Sequence, residues 1–176
     1  MYFPLSFYAS MIDGFPKIWV SEKTDSHADI VREFGLRDDG RVPLYAGEIF
    51  PNPLNPSPDT STWVLRWDSD ATNGSRENPN VADALAIRRE VEKVAKRYVT
   101  TGVQVVSVRG WAFGDAHQTI KSGGEGTAFG GARQTIKSGG KGWACDDAHQ
   151  TIESGGKGWG FGGAHQTIES GGKGLA

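Results

Sequence analysis

The last third of this chain writes one sixteen-residue unit four times and begins a fifth, and that period restricts the fold more than any other feature. The first copy runs Gly-Trp-Ala-Phe-Gly-Asp-Ala-His-Gln-Thr-Ile-Lys-Ser-Gly-Gly-Glu from Gly110 to Glu125, and new copies start at Gly126, Gly142, Gly158 and Gly174. A unit this short has no room for a helical hairpin. It holds two short strands and two turns, the makeup of one coil of a solenoid whose units bury their apolar sides only against neighbours.

Comparing the copies by column shows what each strand does. Ala116, Gln118, Thr119 and Ile120 recur at every copy, through Ala164, Gln166, Thr167 and Ile168, while charge is confined to columns that vary, such as Lys121, Lys137, Glu153 and Glu169. Strand side chains alternate faces, so Ala, Gln and Ile point one way, and His or Arg, Thr, and Lys or Glu point the other. The Ile side is the inside. The outward columns are then His117, Arg133, His149 and His165, and Thr119, Thr135, Thr151 and Thr167, a regular display that serves as a binding surface.

Glycine-rich corners, Ser122-Gly123-Gly124 at one end and Gly130-Gly131 at the other, separate the strands, with Asp146-Asp147 as a tolerated substitute. The second strand carries Trp111, Thr127, Trp143 and Trp159 in one column and Phe113, Phe129, Cys145 and Phe161 two places on. Six large aromatics left in water would form a large apolar patch, so this face is expected to turn inward against the Ile column. The outward alternative would make it a binding surface. A pure linker would carry no fixed Ile or aromatic column. Stacked about 4.8 Å apart, four coils give a rod about 19 Å tall.

The sequence closes at Gly174-Leu175-Ala176, early in a fifth coil, with no polar segment to cover the last rung. The strand edge at Thr167, Ile168 and Leu175 is therefore expected to pair with a second copy about a two-fold axis, giving a homodimer.

The eight-residue half coils, the Gly-Gly corners and the Gln-Thr pair in each coil resemble the β-solenoid repeats of bacterial ice-nucleation proteins. They also resemble small phage and prophage proteins in which such repeats follow a compact N-terminal domain, where segments like Thr24-Asp25-Ser26-His27 and Gly35 to Asp39 recur. The resemblance implies a β-solenoid and an accessory role toward a host factor. The ice-nucleation pattern presents paired Thr columns as Thr-x-Thr; here a single Thr column is flanked by His or Arg and by Lys or Glu.

Nineteen of the 25 glycines lie at or after Gly110, and this shift in composition divides the chain. Residues 110–176 read as the solenoid and 17–109 as an α+β domain that caps it. Residues 1–16 read as a poorly ordered extension, with Met1 and Met11 both open as the start. Within 17–109, Ile18 to Val20 reads as a strand. A helix follows, opened by Thr24-Asp25-Ser26 with Asp29 in capping-box position and closed at Gly35. Leu44 to Phe50 is a strand, ended by the four prolines of 51–58. Thr62 to Trp67 is the next, with Trp63, Leu65 and Trp67 on one face. Val81 to Tyr98 is the longest helix, with Ala84, Ile87, Val91, Val94 and Tyr98 as its stripe and Arg88 to Glu92 paired on its wet side. Val103 to Val108 is the last strand. The order βαββαβ is that of a ferredoxin-like split βαβ sandwich.

Thirteen basic and fifteen acidic residues precede Gly110 and six of each follow, so no basic footprint for nucleic acid is visible. No apolar run reaches the ~18 residues of a membrane span, and with no secretory signal the chain reads as cytoplasmic. The lone Cys145 sits in a Phe column and reads as an apolar filler. His27, near Asp25 and Asp29, reads as a capping or surface residue, and Asp68-Ser-Asp70 as a solvated turn. Neighbouring rungs bring His149 and His165 about 5 Å apart, in reach of a shared zinc ion; with only two ligands supplied, the column reads as a surface ladder. No nucleophile and base stand at recognisable spacing, and neither a metal nor a cofactor is implied.

These features point to a non-enzymatic binding or structural protein that offers a repeated β-surface to a protein partner. Ice binding is a second reading, disfavoured by the charged columns beside Thr. A small enzyme or an inhibitor of host defence acting through the first domain is a third.

Overall fold

The computed structural model describes residues 4–23, 26–37, 42–71, 78–106, 109–120, 124–137, 139–153, 155–169 and 173–175. Met1, Thr24, Asp25, Asp38, Asp39, Val108, Lys121, Ser122, Gly123 and Ala176, singled out above, lie outside them. The chain forms two compact units, one made of 4–55 and 59–96, the other of 56–58 and 97 onward.

The first unit begins with the segment expected to be a loose extension. Leu5–Ile12 is instead strand β1, hydrogen-bonded on one side to β2 (Phe15–Trp19) and on the other to β3 (Tyr45–Phe50). Leu5, Phe7, Tyr8 and Ala9 are fully buried, because a strand in the middle of a sheet covered on both faces is apolar on both. Helix α1 (His27–Phe34) follows β2, and β4 (Val64–Trp67) pairs with β3. Helix α2 (Val81–Ala95) then packs against β1, β2 and β3.

The strand order is β2-β1-β3-β4 with every pair antiparallel, which corrects the expected ferredoxin-like βαββαβ arrangement. The strand missed at the start and the one assigned in excess at the end account for the difference. Local signals hold in part: Ser26 stands at the N-cap of α1 but makes no side-chain cap bond, so the expected capping box does not form. Gly35 closes α1 in the left-handed conformation at φ 62°, with its backbone N–H bonded to Val31 O. Asn80 caps α2 by accepting from the Asp83 N–H at 3.0 Å. Helix α2 buries Ile87, Val91 and Ala95 and ends one turn earlier than expected, in a 3-10 turn at Lys96–Tyr98.

The second unit is the solenoid, about four turns at sixteen-residue spacing. Its strands are β5 (Val99–Thr100), β6 (Val103–Val106), β7 (Arg109–Ala112), β8 (His117–Ile120), β9 (Glu125–Ala128), β10 (Arg133–Ile136), β11 (Lys141–Cys145), β12 (His149–Ile152), β13 (Lys157–Phe161), β14 (His165–Ile168) and β15 (Lys173–Leu175). They build two parallel sheets, β6-β8-β10-β12-β14 and β5-β7-β9-β11-β13-β15. Like residues pair with like: Gln118, Gln134, Gln150 and Gln166 stand in register, as do Ile120, Ile136, Ile152 and Ile168.

The stack begins before the repeat does. β5 pairs with β7 as Val99↔Trp111 and β6 pairs with β8 as Val103↔His117, offsets of 12 and 14 residues. The strands of this leading coil are separated by two residues, where later ones are separated by three or four. It therefore escapes a search for a fixed period, and the strand assigned above to the first domain belongs here.

The corner after β7 shows why glycine alternates with aspartate. Gly114, Gly130, Asp146 and Gly162 all adopt positive φ, between 59° and 67°, and Asp is among the few residues with a side chain that tolerates this.

Inside, the sheet carrying β8 to β14 contributes Gln and Ile, as the alternation requires. The other sheet contributes glycine and alanine. A Cβ placed on Gly126, Gly142 or Gly158 would overlap the Cδ1 of Ile120, Ile136 or Ile152. Ala112, Ala128 and Ala144 pack with Ala116, Ala132 and Ala148 in one buried cluster. The Trp and Phe columns, of opposite parity to Gly and Ala, therefore point outward, which overturns the inward expectation. A core this thin admits no indole.

Candidate interaction surface

The backbone register places the outward residues on the face of β8, β10, β12 and β14. His117, Arg133, His149 and His165 form one exposed column. Thr119, Thr135 and Thr151 form the next, half-buried, ending in the exposed Thr167. Val103 and Val105 continue the two columns onto β6 at 87% and 57% exposure. Beyond Thr, Lys137 Nζ lies 3.4 Å from Glu153 Oε2, so the charges beside the Thr column neutralise each other at that step.

What holds these side chains at fixed spacing lies directly beneath them. The buried Gln side chains form a ladder: Gln134 Nε2 donates to Gln118 Oε1 at 2.9 Å, Gln150 to Gln134 at 2.9 Å, and Gln166 to Gln150 at 3.0 Å. Gln118, Gln134 and Gln150 are at most 2% exposed. A buried amide left without partners is costly, so in-register stacking is the arrangement that satisfies this column. Backbone bonds such as His165 N–H to Ala148 O at 2.9 Å add to it.

The opposite outer face carries the aromatic columns. Phe113 stacks on Phe129 with centroids 4.9 Å apart, and Trp143 on Trp159 at 5.2 Å. Although outward, Trp111, Phe113, Phe129 and Trp143 are all buried, and only toward the last coil does the face open, with Phe161 46% exposed. Cys145, half-buried in this column, has its thiol pushed up to about 11 by burial and then by the Asp146 carboxylate. An apolar filler is what that environment suits. Beside it runs the charged column, where Lys141 Nζ meets Glu125 Oε1 at 3.0 Å.

The expected strand edge is placed by its backbone. Thr167 and Ile168 lie on β14, paired on one side to β12, and Leu175 lies on β15, paired to Trp159 of β13.

In the first unit His27 is not the surface residue expected. Its Nδ1 lies 3.2 Å from Asp68 Oδ2, its Nε2 lies 3.1 Å from Gly47 O, and its ring meets Tyr8 edge to face at 5.3 Å. It joins the start of α1 to β3 and to the residue after β4. Both ring nitrogens face acceptors, so the residue serves as a link between elements. Burial, and secondly the Asp68 carboxylate, push the Tyr8 hydroxyl up to about 12. Sequence spacing could not bring His27, Gly47 and Asp68 together, because the contact depends on the sheet order. Among the described residues no group of three metal-type side chains occurs, and no helix is long and apolar enough to cross a membrane.

No protein-family model matches this chain, and neither a curated protein nor a solved structure does.

Proposed function

We propose that this is a non-enzymatic binding and structural protein, a phage or prophage accessory factor of the cytoplasm whose solenoid offers its His/Arg and Thr columns to a protein of the host. The observation that carries the reading is the outer face of β8 to β14. Eight side chains from four rungs stand there in register, the His/Arg column exposed, over a hydrogen-bonded core that fixes their spacing. Such a scaffold keeps its contact groups ordered before a partner arrives, which lowers the entropic cost of association. Among the described residues β14 pairs with β12 alone, and on the same reading two copies associate there through Thr167, Ile168 and Leu175. Light scattering that finds only monomer removes the dimer from this reading.

The test compares proteins retained from host lysate by the full-length chain and by an Arg133→Glu/Thr135→Glu variant, with Lys157→Glu on the other sheet as control. A partner kept by the parent and the control but lost from the double variant supports the proposal. Identical retention by all three overturns it.

A second reading rests on the Thr column itself, since Thr119, Thr135, Thr151 and Thr167 align on one sheet face as an ice-binding surface requires. The ion pair of Lys137 and Glu153 beside that column works against it, and thermal hysteresis no greater than that of a control protein is expected. A clear freezing-point gap would reverse the order of the two readings.

A further inference from the structure

We infer that His149 and His165 together form a chelating site for one divalent first-row transition ion, zinc, nickel or copper being the ions that suit imidazole donors. The inference does not depend on the existence of a protein partner.

The two residues are paired in register on neighbouring strands, and their rings lie 4.9 Å apart with planes only 16° from parallel. Both side chains are exposed, so the only ring stacking given up when they turn is that between the two histidines themselves. The backbone beneath is held by the His165 N–H bond to Ala148 O at 2.9 Å and the Gln166 to Gln150 amide bond at 3.0 Å. The spacing of the ligands is therefore set before an ion arrives.

Two nitrogens bound at about 2.0–2.1 Å to a tetrahedral ion lie roughly 3.3 Å apart. Binding requires the two rings to turn about their side-chain bonds and open the stack until one nitrogen of each points at a common ion. The rest of the column explains why the site is confined to this pair. Arg133 occupies the rung between His117 and His149, placing His117 two rungs, about 10 Å, from His149. That is too far to share an ion, and the guanidinium sets a positive charge on that side. With no third protein ligand among the described residues, the remaining positions go to water or to a donor from outside.

Calorimetric titration of the full-length protein with Zn²⁺ tests the site; zinc is used because it does not oxidise the Cys145 thiol. One ion per chain is expected. His149→Ala and His165→Ala are each expected to weaken binding at least about tenfold, since even outer partners of a ligating histidine are worth that much. His117→Ala is expected to leave it unchanged. Arg133→His, which sets an imidazole one rung from His117 and two rungs from His165, is expected to create a second pair and raise the stoichiometry to two ions per chain. Absence of binding, binding that survives loss of either His149 or His165, or no second ion in Arg133→His would overturn the inference. Far-UV circular dichroism of each variant confirms that these exposed substitutions leave the fold in place.

Discussion

A methyl group on Gly142 would overlap Ile136 Cδ1 and Gln150 Nε2 and come within 2.9 Å of Gln134 Oε1. Gly142→Ala is therefore expected to cost about 1–3 kcal/mol or more by overpacking, read as a lowered thermal midpoint. Adding Ile136→Val, which removes Cδ1, should restore part of the loss; no restoration would mean that the glycine is needed for another reason. Tyr8 supplies a pH dependence. Its hydroxyl is pushed up to about 12 by burial and by Asp68, above the ordinary tyrosine value of about 10. The folded state thus holds this proton more tightly than the unfolded state. Its contribution is complete below about pH 10 and is lost as pH rises through about 12. Denaturant midpoints across that interval should fall in the parent, and less steeply in Tyr8→Phe. At this scale the sequence was informative for Ile and Gln, whose columns never change, and for the corner glycines, which only aspartate replaces. It misled on the direction of the aromatics: four of them are buried, yet on the face away from the Ile column, because the Gly and Ala columns of opposite parity are what the thin core accepts.

The elements themselves differ in how much of their making is local. Helix α2, both corners and strands β7 to β14 follow from caps, turn residues and period, which are signals carried within a few residues. β1 does not, since an apolar stretch near one end of a chain becomes a central strand only when β2 and β3 flank it. β5 and β6 were missed as solenoid strands because their two-residue corners break the period. The candidate surface was legible down to its columns, because alternation alone fixes which residues of β8 to β14 face out. The burial of Trp111 and Phe113 and the joining of His27 to Asp68 were not, as both depend on contacts distant in sequence. Ile136 and Ile152, each fully buried on adjacent rungs, give the element-scale test. Asp at both positions would bury two charges without partners. The β-signal of the solenoid in circular dichroism is expected to collapse in the double variant, and an unchanged spectrum would contradict the inward Ile column.

For the molecule as a whole, the account is of a solenoid so thin that one wall must be glycine and alanine. That constraint fixes which columns turn away from the core, His/Arg and Thr from one sheet, and from the other the charged column and the aromatic columns, which are buried until the last coil. Each coil repeats the same contacts, so the solenoid's stability should rest on neighbour-to-neighbour terms. Orientation of the second strand is the point on which the account stands, and nuclear Overhauser contacts from the Ile136 δ1 methyl group in the full-length protein report it directly. The methyl is expected to show contacts to the Gly142 α protons and none to the Trp143 indole. Strong contacts to the indole, with none to Gly142, would mean that the aromatic columns fill the core and that the displayed faces have been misassigned.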